Sequence, residues 1–119
     1  MKKSSELTSA LKDLRKEFKT IASAIISRDG ILIASDIPDG VIIETFTIMC
    51  ATLMGAASTA HSELRIGQPR AMRIFSERHE MMLVGAGKRA IIICAVPLGT
   101  KIDLLQQRLH KIVESMQED

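Results

Sequence analysis

Residues 89–96, RAIIICAV, have no polar side in an extended conformation. Ala90, Ile92, Cys94 and Val96 would point to one face and Ile91, Ile93 and Ala95 to the other, because successive side chains of a strand alternate. A strand apolar on both parities must be covered above and below, which places it at the centre of a sheet with a layer on each side. That requirement restricts the fold more than any other segment does. At 119 residues the chain suffices for one domain spanning 1–119, with a core large enough to support the layers.

The rest of the chain supplies those layers. Leu7, Leu11, Leu14 and Phe18 recur at 4-3-4 spacing, opposite Lys12, Asp13, Lys16 and Glu17, which predicts an amphipathic helix capped by Ser4 or Ser5. Residues 21–27 and 31–35 read as strands joined by Arg28-Asp29-Gly30, and Asp-Gly is a strong hairpin signal because glycine adopts positive φ freely. A long helix is expected over 41–65, its end marked by Gly67 and Pro69. Strands over 70–76 and 80–86 follow, separated by Glu77-Arg78-His79. Thr100, with Asp103 three residues on, predicts the cap of a last helix whose apolar positions are Leu98, Ile102, Leu105, Leu109, Ile112 and Met116. The order is α-β-β-α-β-β-β-α. Short turns demand antiparallel neighbours, so the fold class is α/β (α+β) with a five-stranded antiparallel sheet in a three-layer α/β/α arrangement. The first and last helices share one face and the middle helix takes the other.

From Glu44 to Glu63 the middle helix contains no formally charged residue between its two glutamates. The stripe Ile43, Phe46, Cys50, Leu53, Ala57, Ala60 and Leu64 repeats at 3-4 spacing and is expected to pack on the sheet. The opposite side, Ile48, Met49, Thr52, Gly55, Ala56 and Thr59, is apolar or small where a solvated helix would be rich in Lys and Glu. A membrane span of this length would contain fewer Thr, Ser and His residues. With no element of the chain left to cover it, this side is expected to be buried by a second chain, and a two-fold partner presents the same surface. Gly55, Ala56 and Ala51 would let two helix backbones come close. The strand 70–76 falls at a sheet edge, where Met72, Ile74 and Phe75 invite pairing with another edge and Arg70 and Arg73 would blunt it.

Composition narrows the function classes. The formal net charge of +2 is weak and dispersed, and there are three Phe with no Trp or Tyr, which speaks against nucleic-acid binding. Cys50 and Cys94 lie in apolar runs and read as buried free thiols, without the spacing of a metal site. The N-terminus has lysines but no apolar h-region, so a cytoplasmic protein without a signal peptide is expected. His61, His79 and His110 have no spaced partner. Gly85-Ala86-Gly87-Lys88 lacks the phosphate-loop frame and reads as a hairpin turn, and Asp36 and Asp39 around Pro38 read as turn formers. No catalytic, metal or cofactor site is expected.

The element order, the hairpin Ser27-Arg28-Asp29-Gly30-Ile31-Leu32-Ile33-Ala34-Ser35, and the small-residue helix followed by Gly67 resemble the roadblock / dynein light chain (Roadblock/LC7) family, stand-alone prokaryotic type, over about residues 5–116. The resemblance implies a roadblock/profilin-like fold. It also implies a homodimer, or a heterodimer with a related roadblock protein, in which middle helices pack together and edge strands join two sheets. It further implies a role as scaffold or regulator of a Ras-like small GTPase, or as a light chain on a larger assembly; the charge and composition read above lead to the expectation of no membrane and no nucleic acid as partner. The dimer interface would then hold Ile48, Met49, Thr52, Gly55, Ala56, Thr59, Met72 and Ile74, with Thr45, Ala51, Ser58, His61 and Ser62 touching a further partner. The alternative is a small-molecule sensor of profilin/PAS-like architecture, for which the strands offer chiefly Ile, Met and Ala, with Ser23 the main polar residue able to face inward.

Overall fold

The computed structural model describes residues 3–117. Eight elements follow in the expected order: α1 (Ser4–Phe18), β1 (Ala22–Ser27), β2 (Leu32–Asp36), α2 (Ile43–Leu64), β3 (Ala71–Phe75), β4 (His79–Ala86), β5 (Ala90–Pro97) and α3 (Ile102–Gln117). The five strands form one sheet in the order β2-β1-β5-β4-β3, and every neighbouring pair is antiparallel. The doubly apolar strand is at the centre. β5 pairs with β1 from Ala22↔Ala95 to Ser27↔Ala90 and with β4 from His79↔Pro97 to Ala86↔Ala90. On the α1/α3 side, Ile92, Cys94 and Val96 pack with Leu7, Leu11 and Leu14 of α1 and Leu105 and Leu109 of α3. On the other side, Ile91 and Ile93 pack with Ala24, Ile26 and Leu83 of the sheet and with Cys50 and Met54 of α2.

Two helix starts differ from the expectation, each because a hydroxyl finds a nearer carbonyl, while the end of α2 falls where it was expected. Ser4 is already inside α1, whose N-cap is Lys3 with no side-chain cap, and the Ser4 hydroxyl donates to the Ile33 carbonyl of β2 at 2.7 Å. The Thr100 hydroxyl donates backwards to the Pro97 carbonyl at 2.7 Å instead of accepting from α3, which begins at Ile102. Helix α2 ends at Leu64 with Arg65 in the left-handed region (φ 56°), ahead of Gly67, and the Ile66 amide donates to the His61 carbonyl. Local hydroxyl-to-carbonyl bonds of this kind compete with capping, and sequence spacing cannot rank them.

The turn between β1 and β2 fixes where α2 lies. Gly30 has φ +91°, and the Gly30 amide donates to the Ser27 carbonyl. A Cβ placed there would stand 3.1 Å from Ile48 Cα and 3.4 Å from the Thr47 carbonyl oxygen, so the absent side chain lets the helix backbone rest on the turn. Gly30→Ala combines a strained φ with a backbone clash, and chemical denaturation should show a loss of about 1–3 kcal/mol.

Cys50 and Cys94 are buried free thiols on opposite sides of the sheet. Burial pushes Cys50 up to about 11 and Cys94 up to about 12. A folded-state pKa above the unfolded value of about 8.5 means that this contribution to stability is complete below that pH. It is lost as pH rises towards the folded values of about 11 and 12. A thiolate-trapping reagent at pH about 8 should label neither cysteine in the native protein and both in denaturant, since the thiolate is the reactive form.

Candidate protein-interaction surface

Helix α2 has 22 residues but buries only Thr47, Cys50 and Met54. Phe46 and Ala51 pack partly against the same core. This is a 3-4 repeat, but rotated from the expected stripe: of that set only Cys50 is fully buried, Phe46 and Ala57 are half-buried, and Ile43, Leu53, Ala60 and Leu64 are exposed. A helix apolar all round contains several overlapping 3-4 stripes, and only the contact with Gly30 and the sheet selects among them.

The outward face is the one the sequence singled out. Ile48, Met49, Thr52, Gly55, Ala56 and Thr59 are all exposed, Ile48 at 50% and Met49 at 52%. The hydroxyl of Thr52 donates to the Ile48 carbonyl at 2.8 Å and is therefore satisfied within the helix. A Cβ on Gly55 would meet nothing within 4 Å. Nothing among the described residues requires glycine there, although glycine costs a helix interior about 1 kcal/mol relative to alanine. Leu53, and Val41, Ile42 and Ile43 near the helix start, widen the apolar surface, as do Ile31 and Leu32 of the adjoining hairpin. The sequence reading assigned Leu53 and Ile43 to the chain's own core and so missed their exposure. By length and composition α2 could span a bilayer, with a mean hydropathy of 1.2, but here it is docked on the sheet.

The residues expected to touch a further partner are spread around this helix. Thr45 and Ser62 are exposed; Ser58 and His61 are half-buried. The His61 Nδ1 lies 3.0 Å from the Ala57 carbonyl, and the Ser62 hydroxyl accepts from Gln68. Ala51 departs from the expectation: it packs partly on this chain's own core, because the helix is rotated.

The two edges of the sheet are unlike. Edge strand β2 is held by α1 through the bond from Ser4 to Ile33 and the ion pair between Arg15 and Asp36 at 3.2 Å. Edge strand β3 pairs with β4 alone, and Ala71, Arg73, Ile74 and Phe75 are exposed. Met72 is half-buried against the α2-side core, so it serves this chain's packing, while Ile74 is 37% exposed on the same parity. Arg73 does not stand out from the edge as a gatekeeper. It makes a two-bond fork to the buried Glu80 carboxylate on β4 at 2.7 and 2.9 Å and lies over the Phe75 ring at 4.9 Å. The hydrogen bonds that Arg73 donates to Glu80 raise its pKa further, so the guanidinium stays charged.

Some of the other candidate groups have structural partners and some have none. His110 Nε2 lies 2.9 Å from Glu114, and Gly87 to Arg89 form the β4–β5 turn. Asp36 holds Arg15 and Asp39 is exposed in its loop. Ser23 is wholly buried and its hydroxyl has no hydrogen-bond partner.

A family model described as the Roadblock/LC7 domain matches residues 7–96, from α1 through β5. This chain belongs to the Roadblock/LC7 domain family. Two uncharacterised proteins of Methanocaldococcus jannaschii are each 28% identical to it over 83 residues, covering 70% of this chain and 73% of theirs. The solved structure of Myxococcus xanthus MglB superposes with a TM-score of 0.87 at 12% identity, covering 97% of this chain and 94% of that one. Acanthamoeba castellanii profilin IA follows at a TM-score of 0.63 and 11% identity, covering 95% and 94%. At such identities the likeness is one of fold, and it establishes the roadblock/profilin-like architecture. Roadblock/LC7 domains are in general interaction modules.

The two sides of α2 should respond differently to charge. Ile48→Glu should leave the circular dichroism and cooperative melting of a protomer nearly unchanged. Met54→Glu should unfold it, because an unpaired carboxylate in an apolar core costs several kcal/mol.

Proposed function

We propose that this chain is a non-catalytic, self-associating scaffold or regulator of a Ras-like small GTPase, acting in the cytoplasm. One observation carries the reading: a 22-residue helix free of charge between Glu44 and Glu63 buries three side chains and leaves Ile48, Met49 and Leu53 exposed around the open backbone of Gly55. Contiguous apolar surface of this kind on a small protein marks an interaction site. The bare β3 edge offers a second contact on the same molecule.

A two-fold dimer uses both features together. Two α2 helices pack through Ile48, Met49, Thr52, Gly55, Ala56 and Thr59, and two β3 strands join through the edge bearing Ile74, with Met72 supporting the strand from beneath. Membership of the Roadblock/LC7 domain family supports this arrangement and the expectation of a GTPase partner. Thr45, Ser58, His61 and Ser62 lie around the same helix and supply hydrogen-bonding groups to that partner. Ala51, turned towards its own sheet, is left out of this set. A related roadblock chain in place of the second copy leaves the physics of the contact unchanged.

The test is association state followed by GTPase capture. Sedimentation should give a dimer at micromolar concentration, and Gly55→Glu should weaken it at least about ten-fold, since burying an unpaired carboxylate exceeds 1.4 kcal/mol. A strictly monomeric wild-type protein overturns the dimer. A Ras-like GTPase encoded beside this chain should be retained in one nucleotide state and released in the other, and retention independent of nucleotide would overturn the regulatory role.

A further inference from the structure

The opposite side of the sheet has a feature that self-association through α2 does not use. Helices α1 and α3 leave the β3–β4 end of their face uncovered, and a groove of about 960 Å³ runs there between α3 and the sheet. Its walls include the apolar Ala71, Val84, Leu109 and Val113. Four side-chain amides, Gln68, Gln106, Gln107 and Gln117, also line it. Each amide both donates and accepts hydrogen bonds, as a peptide backbone does.

Two guanidinium groups also line the groove, those of Arg28 and Arg70, and no carboxylate of the described residues pairs with either. Arg28 is held in place: its Nη2 donates to the Gly87 carbonyl at 2.8 Å, while its Nε has no hydrogen-bond partner. A Cβ on Gly85 would stand 3.0 Å from that same Nη2, and the Gly85 amide donates to the Arg70 carbonyl. The glycine of the Gly85-Ala86-Gly87-Lys88 run therefore makes room for a guanidinium, a different use from a phosphate loop. Among the described residues the one carboxylate on the wall, that of Asp103, lies within electrostatic reach of Arg73. Among the described lining residues the one aromatic ring is the His110 imidazole, whose Nε2 lies 2.9 Å from the Glu114 carboxylate.

We propose that this groove docks an extended acidic peptide segment of a partner protein. Arg28 and Arg70 take its carboxylate, the amides pair with its backbone, and an apolar neighbour seats on Val84 and Val113. Arginine forks match carboxylates in a directional two-bond geometry, which gives the site its preference for Glu or Asp. The site lies across the sheet from α2 and stands independently of the GTPase reading.

Titration of the isotope-labelled full chain with the peptide Ac-Leu-Glu-Leu-Glu-Leu-Glu-NH2 tests this by NMR. The amide signals of Ala71, Val84, Gly85 and Val113 should move. Arg70→Gln, at an exposed position, should weaken binding about ten-fold, the loss expected for a charge-assisted hydrogen bond, and a glutamine-for-glutamate peptide should show the same loss. Arg28→Gln should do likewise if its spectrum remains folded. Shifts confined to α2, binding unaffected by Arg70→Gln, or equal binding of the neutral peptide would overturn the proposal. Shifts at Gly85 with inorganic phosphate but not with the peptide would also overturn it, in favour of a small-anion site.

Discussion

Every layer of this protein is organised by the burial of β5. Its residues Ile91, Ile92, Ile93 and Cys94 are wholly removed from water, and both its edges are hydrogen-bonded, to β1 and β4. A strand in that position demands a hydrophobic cover on each face. Helices α1 and α3 provide one, through Leu7, Leu11, Leu14, Leu105 and Leu109. Helix α2 provides the other, and it is alone there. With two helices on one face and one on the other, α2 is the element with a face to spare.

Two further asymmetries point the surface chemistry in particular directions. Edge strand β2 is tied to α1 by Ser4 and Arg15, whereas β3 has no neighbour beyond β4. Along β3 the one arginine with a strong anchor is turned onto Glu80, so charge does not guard the edge. On the α1/α3 side, the same end of the sheet is left open, and among the described residues no carboxylate pairs with the Arg28 or Arg70 guanidinium lining it. Exposed apolar side chains and the unpaired strand edge thus gather at α2 and at β3, while β2 is covered by its contacts with α1.

Much of this was readable from residue order alone. The two-sided apolarity of residues 90–96, the Asp29-Gly30 turn and the 4-3-4 spacing of Leu7 to Phe18 each correspond to one local conformation. The charge-free span of α2 and the outward position of Ile48, Met49, Thr52 and Gly55 were also legible, because a solvated helix face of this length would carry lysines and glutamates. The Arg73–Glu80 fork was not, since the residues are seven apart and meet only across the β3–β4 register Ile74↔Met81 and its neighbours. Nor was the meeting of Arg28 with Gly85, which are joined only by the fold.

Residue pattern was enough for the number and order of elements, the central strand, and the existence of an uncharged helix, because hydrophobic period and turn chemistry act within a few residues. The rotation of that helix was decided only in three dimensions. Its residues form competing 3-4 stripes of nearly equal hydrophobicity, so sequence preferred Ile43, Leu53 and Leu64 for the core. The close seat of the α2 backbone on Gly30 instead turns Thr47, Cys50 and Met54 inward. Where every face of a helix is apolar, steric fit at one backbone contact decides which residues are buried in the core and which are left exposed.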